Sequence, residues 1–339
     1  MRVLVNLDNE LRRATVFTRV TGTVSEGDSV VVNTTGVDLE LGTGGDDFVM
    51  WNLASGEAGG LSGGHILKLR YTPWQIDTMS AEAPESPHHD LLAEAESIEG
   101  MNVVACGLHS QVAAGAAVAR HLRSDARIVY IMTDGAALPI AHSNLVASLK
   151  SNGVIDTTIT CGHAFGGDLE CVNVFSALAT AKWVCKADIA FVAMGPGIVG
   201  TKTHLGHTEM EQGQVLSAVW GLGGVGTAAL RISFAESRDR HRVVSQHSIA
   251  ALRFAASSVL AVPLLERRKT DEVVAKLTGA GLDRIHDLRM VDSHVTFEAL
   301  KAFDLAPETM GRTVEDDPEF FLAAGAAGIV AVQLTAEDS

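Results

Sequence analysis

One feature constrains this chain more than any other. From about residue 100, short runs rich in β-branched residues alternate with Ala-rich stretches of helical length. The runs 102–106, 127–133, 156–161, 188–194, 227–234, 258–262 and 285–291 read as strands. The stretches 110–123, 139–151, 171–186, 208–222, 246–256, 270–280 and 318–333 read as helices. A strand that is apolar throughout must be covered on both faces, and strands separated by helices run parallel. The expected fold is therefore α/β, a mainly parallel, Rossmann-like, three-layer sheet. Local signals agree. Thr208-x-x-Glu211 has the form of a capping box, and Asp317-Pro318 supplies an N-cap followed by a Pro at the first helical position.

Residues 1–78 follow a different pattern. Alternating segments such as Ser29-Val30-Val31-Val32-Asn33 are broken by Gly-rich turns at 42–46 and 59–64. Such spacing predicts a small all-β, barrel-like or sandwich domain. Residues 79–99 contain Pro84, Pro87 and a surplus of acids, the composition of a linker. The α/β domain then occupies 100–339. Its last helix carries Leu322-Ala323-Ala324-Gly325-Ala326-Ala327-Gly328. Small residues suit close packing, either on the sheet or at a subunit interface, and a homo-oligomer is expected.

Charge limits the partners. Lys plus Arg number 26 against 41 Asp plus Glu, a formal net charge of −15. Overall electrostatics then oppose binding to nucleic acid or an anionic membrane, and leave room only for a small anion at a local positive site. The uncharged run 212–230 contains five Gly and reads as a helix end, a turn and a strand rather than a membrane span. Cys106, Cys161, Cys171 and Cys185 form no C-x-x-C pair and sit in apolar segments, as buried reduced thiols do. Without a signal-peptide pattern at the start, a cytoplasmic location is expected.

Several phrases together resemble an uncharacterised bacterial family known only as a domain of unknown function. They are Lys68-Leu69-Arg70-Tyr71-Thr72-Pro73, Leu108-His109-Ser110, Phe165-Gly166-Gly167-Asp168-Leu169-Glu170, Asn173-Val174-Phe175-Ser176, Gly195-Pro196-Gly197, and Met310-Gly311-Arg312 followed by Asp317-Pro318. The resemblance spans nearly the whole chain and implies a shared fold. It brings no activity with it. One departure is Gln246, where the family pattern leads to a second His beside His247.

Ligands of open parallel sheets bind outside the carboxyl ends of the strands. The loops expected there are polar. They hold His109 and Ser110, then Asp134, then His163, Asp168 and Glu170, then a Gly-rich loop from 195 to 203. The motif Gly195-Pro196-Gly197-Ile198-Val199-Gly200 satisfies G-x-G-x-x-G, but the capped helix starts eight positions later at Thr208, too late for a dinucleotide fingerprint. Thr201 precedes Lys202-Thr203, so the P-loop pattern fails by one residue. What remains is an anion loop built from Gly195, Gly197, Gly200, Thr201, Lys202 and Thr203, or a plain surface turn.

His109, Asp134, His163, Asp168 and Glu170 are the catalytic candidates, as acid–base groups or as ligands of a hard cation. Ser110 and Asp168 equally suit helix caps. No metal or cofactor is specified. His204-x-x-His207-x-Glu209 lacks metalloprotease spacing and reads as loop or cap. The basic run Arg238, Arg240, His241, Arg242 suits an anion clamp or a solvated, acid-paired loop. Two functional readings follow: an enzyme of hydrolase or transferase type acting on an anionic small molecule at the carboxyl edge, or a non-catalytic metabolite-binding or regulatory protein. A purely structural subunit would leave the polar strand-end loops without a purpose.

Overall fold

This computed structural model describes residues 1–39, 44–55 and 63–337. The turn signals at 42–43 and 59–62 lie outside the described residues. β1 (Arg2–Leu7) and β2 (Glu10–Thr15) form a hairpin turned by Asp8 and Asn9 at φ 51° and 70°, a conformation Asn and Asp accept readily. With β3 (Val30–Asn33) and β4 (Asp47–Asn52) they make a small curled sheet of order β1-β2-β4-β3, a half-barrel closed on Val5, Ala14, Val16 and Val49. β5 (Ile66–Lys68) and β6 (Ile76–Thr78) form a separate antiparallel hairpin. The acidic, Pro-containing stretch 79–99 runs beside the large sheet. Ala81 N donates to Glu170 O at 2.8 Å, and Ser80, Ala81 and Ala83 are buried.

The large sheet shows why this sequence needs two helical layers. In β7 (Asn102–Cys106), Val104 and Cys106 enter one core and Val103 and Ala105 the other. In β8 (Ile128–Thr133), Ile128, Tyr130 and Met132 divide from Val129 and Ile131 in the same way. Successive side chains point to opposite faces, so a strand buried at every position must be sandwiched. β9 (Thr157–Cys161), β10 (Leu169–Cys171), β11 (Ile189–Met194) and β12 (Val225–Ala229) extend the sheet. After a two-stranded ribbon of β13 (Ile232–Ser233) and β14 (Val243–Val244), β15 (Val259–Pro263) and β16 (Asp287–Val291) complete it. Its order is β10-β9-β8-β11-β7-β12-β15-β16, with every neighbouring pair parallel.

One face carries the helices Gln111–Leu122, Asn144–Ser151, Val295–Ala302 and Pro318–Glu337. The other carries Val174–Ala179 with its π-helical extension Thr180–Val184, then Glu211–Gly221, Gln246–Arg253 and Arg267–Gly279. The Gly/Ala stripe of the last helix is spent inside the chain. A Cβ on Gly328 would strike the Gly115 carbonyl, and one on Gly325 would strike Thr296 Oγ1. This helix is long and apolar enough to cross a membrane, yet 78% of its apolar window is buried in the protein. The stripe therefore docks a core helix.

Two helix-end expectations are corrected. Thr208 makes no capping box: its Oγ1 accepts from Val199 N at 3.2 Å, and a 3-10 turn, Thr208–Met210, precedes the helix. Asp317 gives its carboxylate to Ser233 Oγ at 2.8 Å and Arg312 Nε at 2.9 Å rather than to helix amides. In both, a tertiary partner satisfies the polar group that a local cap would have used.

Candidate functional site

The chain leaves β7 through Gln111–Leu122 toward β8, and leaves β11 through Glu211–Gly221 toward β12. These helices cover opposite faces, and the two strands are neighbours. Their carboxyl ends therefore diverge into a crevice, the switch point of the sheet. A cavity of about 900 Å³ occupies it. Leu108, His109 and Ser110 form one wall, Met194 to Ile198 another, and Asp304 to Gly311 the roof, with Asn144, Leu145 and Ser148 at one end.

His109 is the polar centre of this wall. Its Nδ1 lies 3.2 Å from the Met194 carbonyl and 3.0 Å from Tyr130 Oη, and its Nε2 lies 2.7 Å from Ser143 Oγ. A carbonyl only accepts, so Nδ1 carries the hydrogen and Nε2 accepts from the Ser143 hydroxyl. Burial pushes the imidazole down to about 4, which fixes it neutral at pH 7. Ser143 is buried and caps the helix Asn144–Ser151 by accepting from Val146 N at 3.1 Å. Ser110 stands at an N-cap position without a cap bond. Its Oγ donates instead to Thr309 Oγ1 at 3.2 Å, joining wall to roof.

The glycines of the loop after β11 have separate reasons. A Cβ on Gly195 would strike the Ala137 carbonyl, where the loops after β8 and β11 touch. Gly197 holds φ +108°, open to glycine alone. A Cβ on Gly200 would lie 2.9 Å from His247 Cε1, so this glycine serves packing. Thr201 and Thr203 form a closed turn: their hydroxyls lie 3.0 Å apart and bond Gly206 O and Gly206 N. Lys202 is exposed at φ 65° on that turn. The anion-loop residues thus divide: Gly195 and Gly197 line the cavity, while Gly200, Thr201, Lys202 and Thr203 do not.

The remaining candidates lie at the ends of β8, β9 and β10. Asp168 is bound by Lys150 Nζ at 2.5 and 2.6 Å and by Thr158 N and Oγ1 at 2.8 and 2.9 Å. Burial pushes its carboxyl up, but Lys150 and Thr158 outweigh that and hold it below the usual range. It does not cap the next helix, which Asn173 does through a full capping box. Glu170 is bound at 2.6 Å by Lys68 Nζ, at 2.6 Å by Thr160 Oγ1 and at 2.7 Å by Gly166 N. Asp134 accepts from His163 N at 2.8 Å, and His163 Nδ1 accepts from Leu69 N at 3.0 Å. Each of these groups braces a loop. Among the described residues, no cluster of His, Cys, Asp and Glu has metal-binding geometry.

Two arrangements escaped the sequence. Glu209 is fully buried, bonded at 2.6 Å by Ser248 Oγ and at 3.3 Å by Arg231 Nη1. His207 and His247 stack above it at 3.8 Å, with His241 edge-on at 4.5 Å. Parallel stacked rings cannot both aim a lone pair at one cation, so this is a packed ionic core. The spacing of His207 and Glu209 was visible, but nothing local marked Arg231 or His247 as partners. Glu211, read as half of a cap, is a buried carboxyl that burial drives up to about 7. Its Oε2 is unpartnered and would lie 2.5 Å from a Cβ on Gly135. The basic run is acid-paired and locally bonded: Arg238 grips Glu236 at 2.9 and 2.6 Å, and Arg240 Nε donates to His241 Nε2 at 3.0 Å.

The sequence profile of a family described as "Protein of unknown function (DUF3866)" matches residues 13–328. No curated protein and no solved structure matches the chain.

Proposed function

The chain belongs to that family of unknown function, and from this premise we propose that it binds a small molecule in the switch-point cleft and acts on it as a hydrolase or transferase. The observation that carries the proposal is the 2.7 Å contact between Nε2 of His109, which lines the cavity, and Oγ of Ser143, buried directly behind it. A neutral imidazole whose Nδ1–H is held by a carbonyl presents Nε2 as a base. Attack by Ser143 Oγ on an acyl or phosphoryl centre would pass the hydroxyl proton to Nε2, which would return it to the leaving group. Gly195 and Gly197 would let the substrate approach the backbone closely. The cytoplasmic setting expected from the sequence fits the reduced, buried Cys106, Cys161 and Cys171.

A second reading, non-catalytic metabolite binding, is favoured by one observation. Ser143 is buried, and its oxygen already accepts from Val146 N. An uncharged fluorophosphonate separates the two. The enzyme reading expects covalent labelling at Ser143, abolished in Ser143→Ala and slowed about 100-fold or more in His109→Ala. A folded wild-type protein that stays unlabelled contradicts it and leaves the binding reading.

A further inference from the structure

A second cavity, of about 450 Å³, lies beside the first along the same carboxyl edge, between the half-barrel and the large sheet. Asn144 lines both. Its walls come from the segment after β2, which brings Phe17, Thr18 and Arg19, and from the loops after β8 and β9, which bring His142 and Phe165. Arg2 completes it, and no Asp or Glu is among its lining residues. The first cavity is the reverse: no Lys or Arg lines it, and its charges are Asp304 and Glu308.

We infer that this second cavity is the anion-recognition subsite of the switch-point ligand, and that it takes a planar ring bearing a phosphate or carboxylate. The inference rests on the reading of the cleft given above. Three observations support it. First, the arginines have donor capacity left. Arg19 makes one polar contact among the described residues, a 3.6 Å ion pair with Glu170. Arg2 reaches Asp46 at 3.4 Å and Asn144 Oδ1 at 3.4 Å, both loose contacts. Guanidinium groups present several donors to an oxyanion and retain their charge. Second, the wall is aromatic. Phe17 and His142 lie 6.1 Å apart at 70°, and Phe165 adds another lining ring. Burial holds His142 below the ordinary imidazole range, so it presents a neutral face. Third, the cavity lies where two structural units meet, a preferred place for small ligands. The anion expected from the sequence thus moves from Lys202 to Arg2 and Arg19. Neither arginine carried a motif, because the half-barrel delivers them from far along the chain.

The test is titration calorimetry of the full chain with phenyl phosphate, benzoate and uncharged benzyl alcohol, with the His142 ring followed by NMR. Phenyl phosphate is expected to bind and shift the His142 resonances, and benzyl alcohol to bind at least tenfold more weakly. Arg19→Gln and Arg2→Gln, at exposed side chains, are each expected to weaken phenyl phosphate about tenfold or more. Stronger binding of benzoate than of phenyl phosphate would assign the carboxylate, and the reverse order the phosphate. The inference fails if neither anion exceeds benzyl alcohol, if both variants bind like wild type, or if the shifts avoid His142. Wild-type labelling at Ser143 reports on the cleft separately, so loss of the anion site and loss of the cleft reading give different results.

Discussion

Replacing Lys68 with Met is expected to lower the unfolding free energy by about 3–5 kcal/mol. Lys68 is 1% exposed, yet its ammonium is fully engaged. Nζ donates to the Thr160 carbonyl at 3.2 Å, the Ala164 carbonyl at 2.5 Å and Glu170 Oε2 at 2.6 Å. The hairpin of β5 and β6 is thereby pinned to the ends of β9 and β10. A Met of similar length fills the space but leaves the buried Glu170 carboxylate only the exposed Arg19 guanidinium at 3.6 Å as a counter-charge, and losing the close buried partner is the costly part. Urea denaturation of Lys68→Met against wild type reads the loss. The double variant Lys68→Met/Glu170→Gln is expected to recover at least half, because the poorly compensated buried charge is gone. Recovery would also identify Glu170 as a brace. A double variant no more stable than Lys68→Met would contradict this account of the pair.

Glu209→Ala is expected to cost a similar amount, about 3–5 kcal/mol, for a related reason. Glu209 is 0% exposed and Arg231 4%, so removing the carboxylate leaves a guanidinium buried without its counter-charge. Ser248 also loses its acceptor. The site has little room to relax, since a Cβ on Gly107 would already lie 2.8 Å from Glu209 Cγ. Acid sharpens the test. Burial pushes the Glu209 carboxyl up, but His247, Arg231 and Ser248 together outweigh it and hold it below the usual range. A depressed carboxyl stabilises the fold above its unfolded pKa, and that stability is lost as pH falls through the folded value. Burial also depresses His207, and His241 to about 3, so protonation opposes folding as pH drops below the ordinary 6.5. Wild type should therefore lose stability from pH 6.5 toward pH 3, and below pH 4.5, where the Glu209 carboxyl takes up its proton, Glu209→Ala should lose less. Parallel pH profiles for the two proteins would contradict the linkage.

Much of the sheet was legible because its signal is local. The run 102–106 coincides with β7, and the expected strands 127–133, 156–161 and 188–194 each start one residue before β8, β9 and β11. A continuous β-branched run bounded by Gly or Asp leaves little choice. β10 was hidden inside an expected loop, since three residues at a sheet edge carry no periodic pattern. The run 227–234 broke in two because Arg231 turns inward to Glu209. Val295–Ala302, eight residues long, was not anticipated; its place depends on Gly325 accepting Thr296.

The site was legible only in part. His109, Gly195 and Gly197 could be found because strand ends and glycines are local features. Ser143, Arg2, Arg19 and Arg231 could not, because their meaning comes from partners far along the chain. Asp168 and Glu170 lie at the strand ends the sequence points to, and there they pair with Lys150 and Lys68, partners the sequence does not mark. Charge density in a sequence marks a polar edge, and only the fold shows which of its groups are ion-paired.

The switch-point cleft between β7 and β11 is the proposed ligand site. Its most direct measurement is a ligand-observed NMR screen of small fragments against wild type and Ala306→Trp. Ala306 is exposed on the cavity roof, so an indole there fills the cleft without entering the core. Fragments are expected to bind wild type, to show contacts to the His109 wall, and to lose binding in Ala306→Trp while its melting temperature is unchanged. Fragments that bind both proteins equally, or a wild type that binds none, would contradict it.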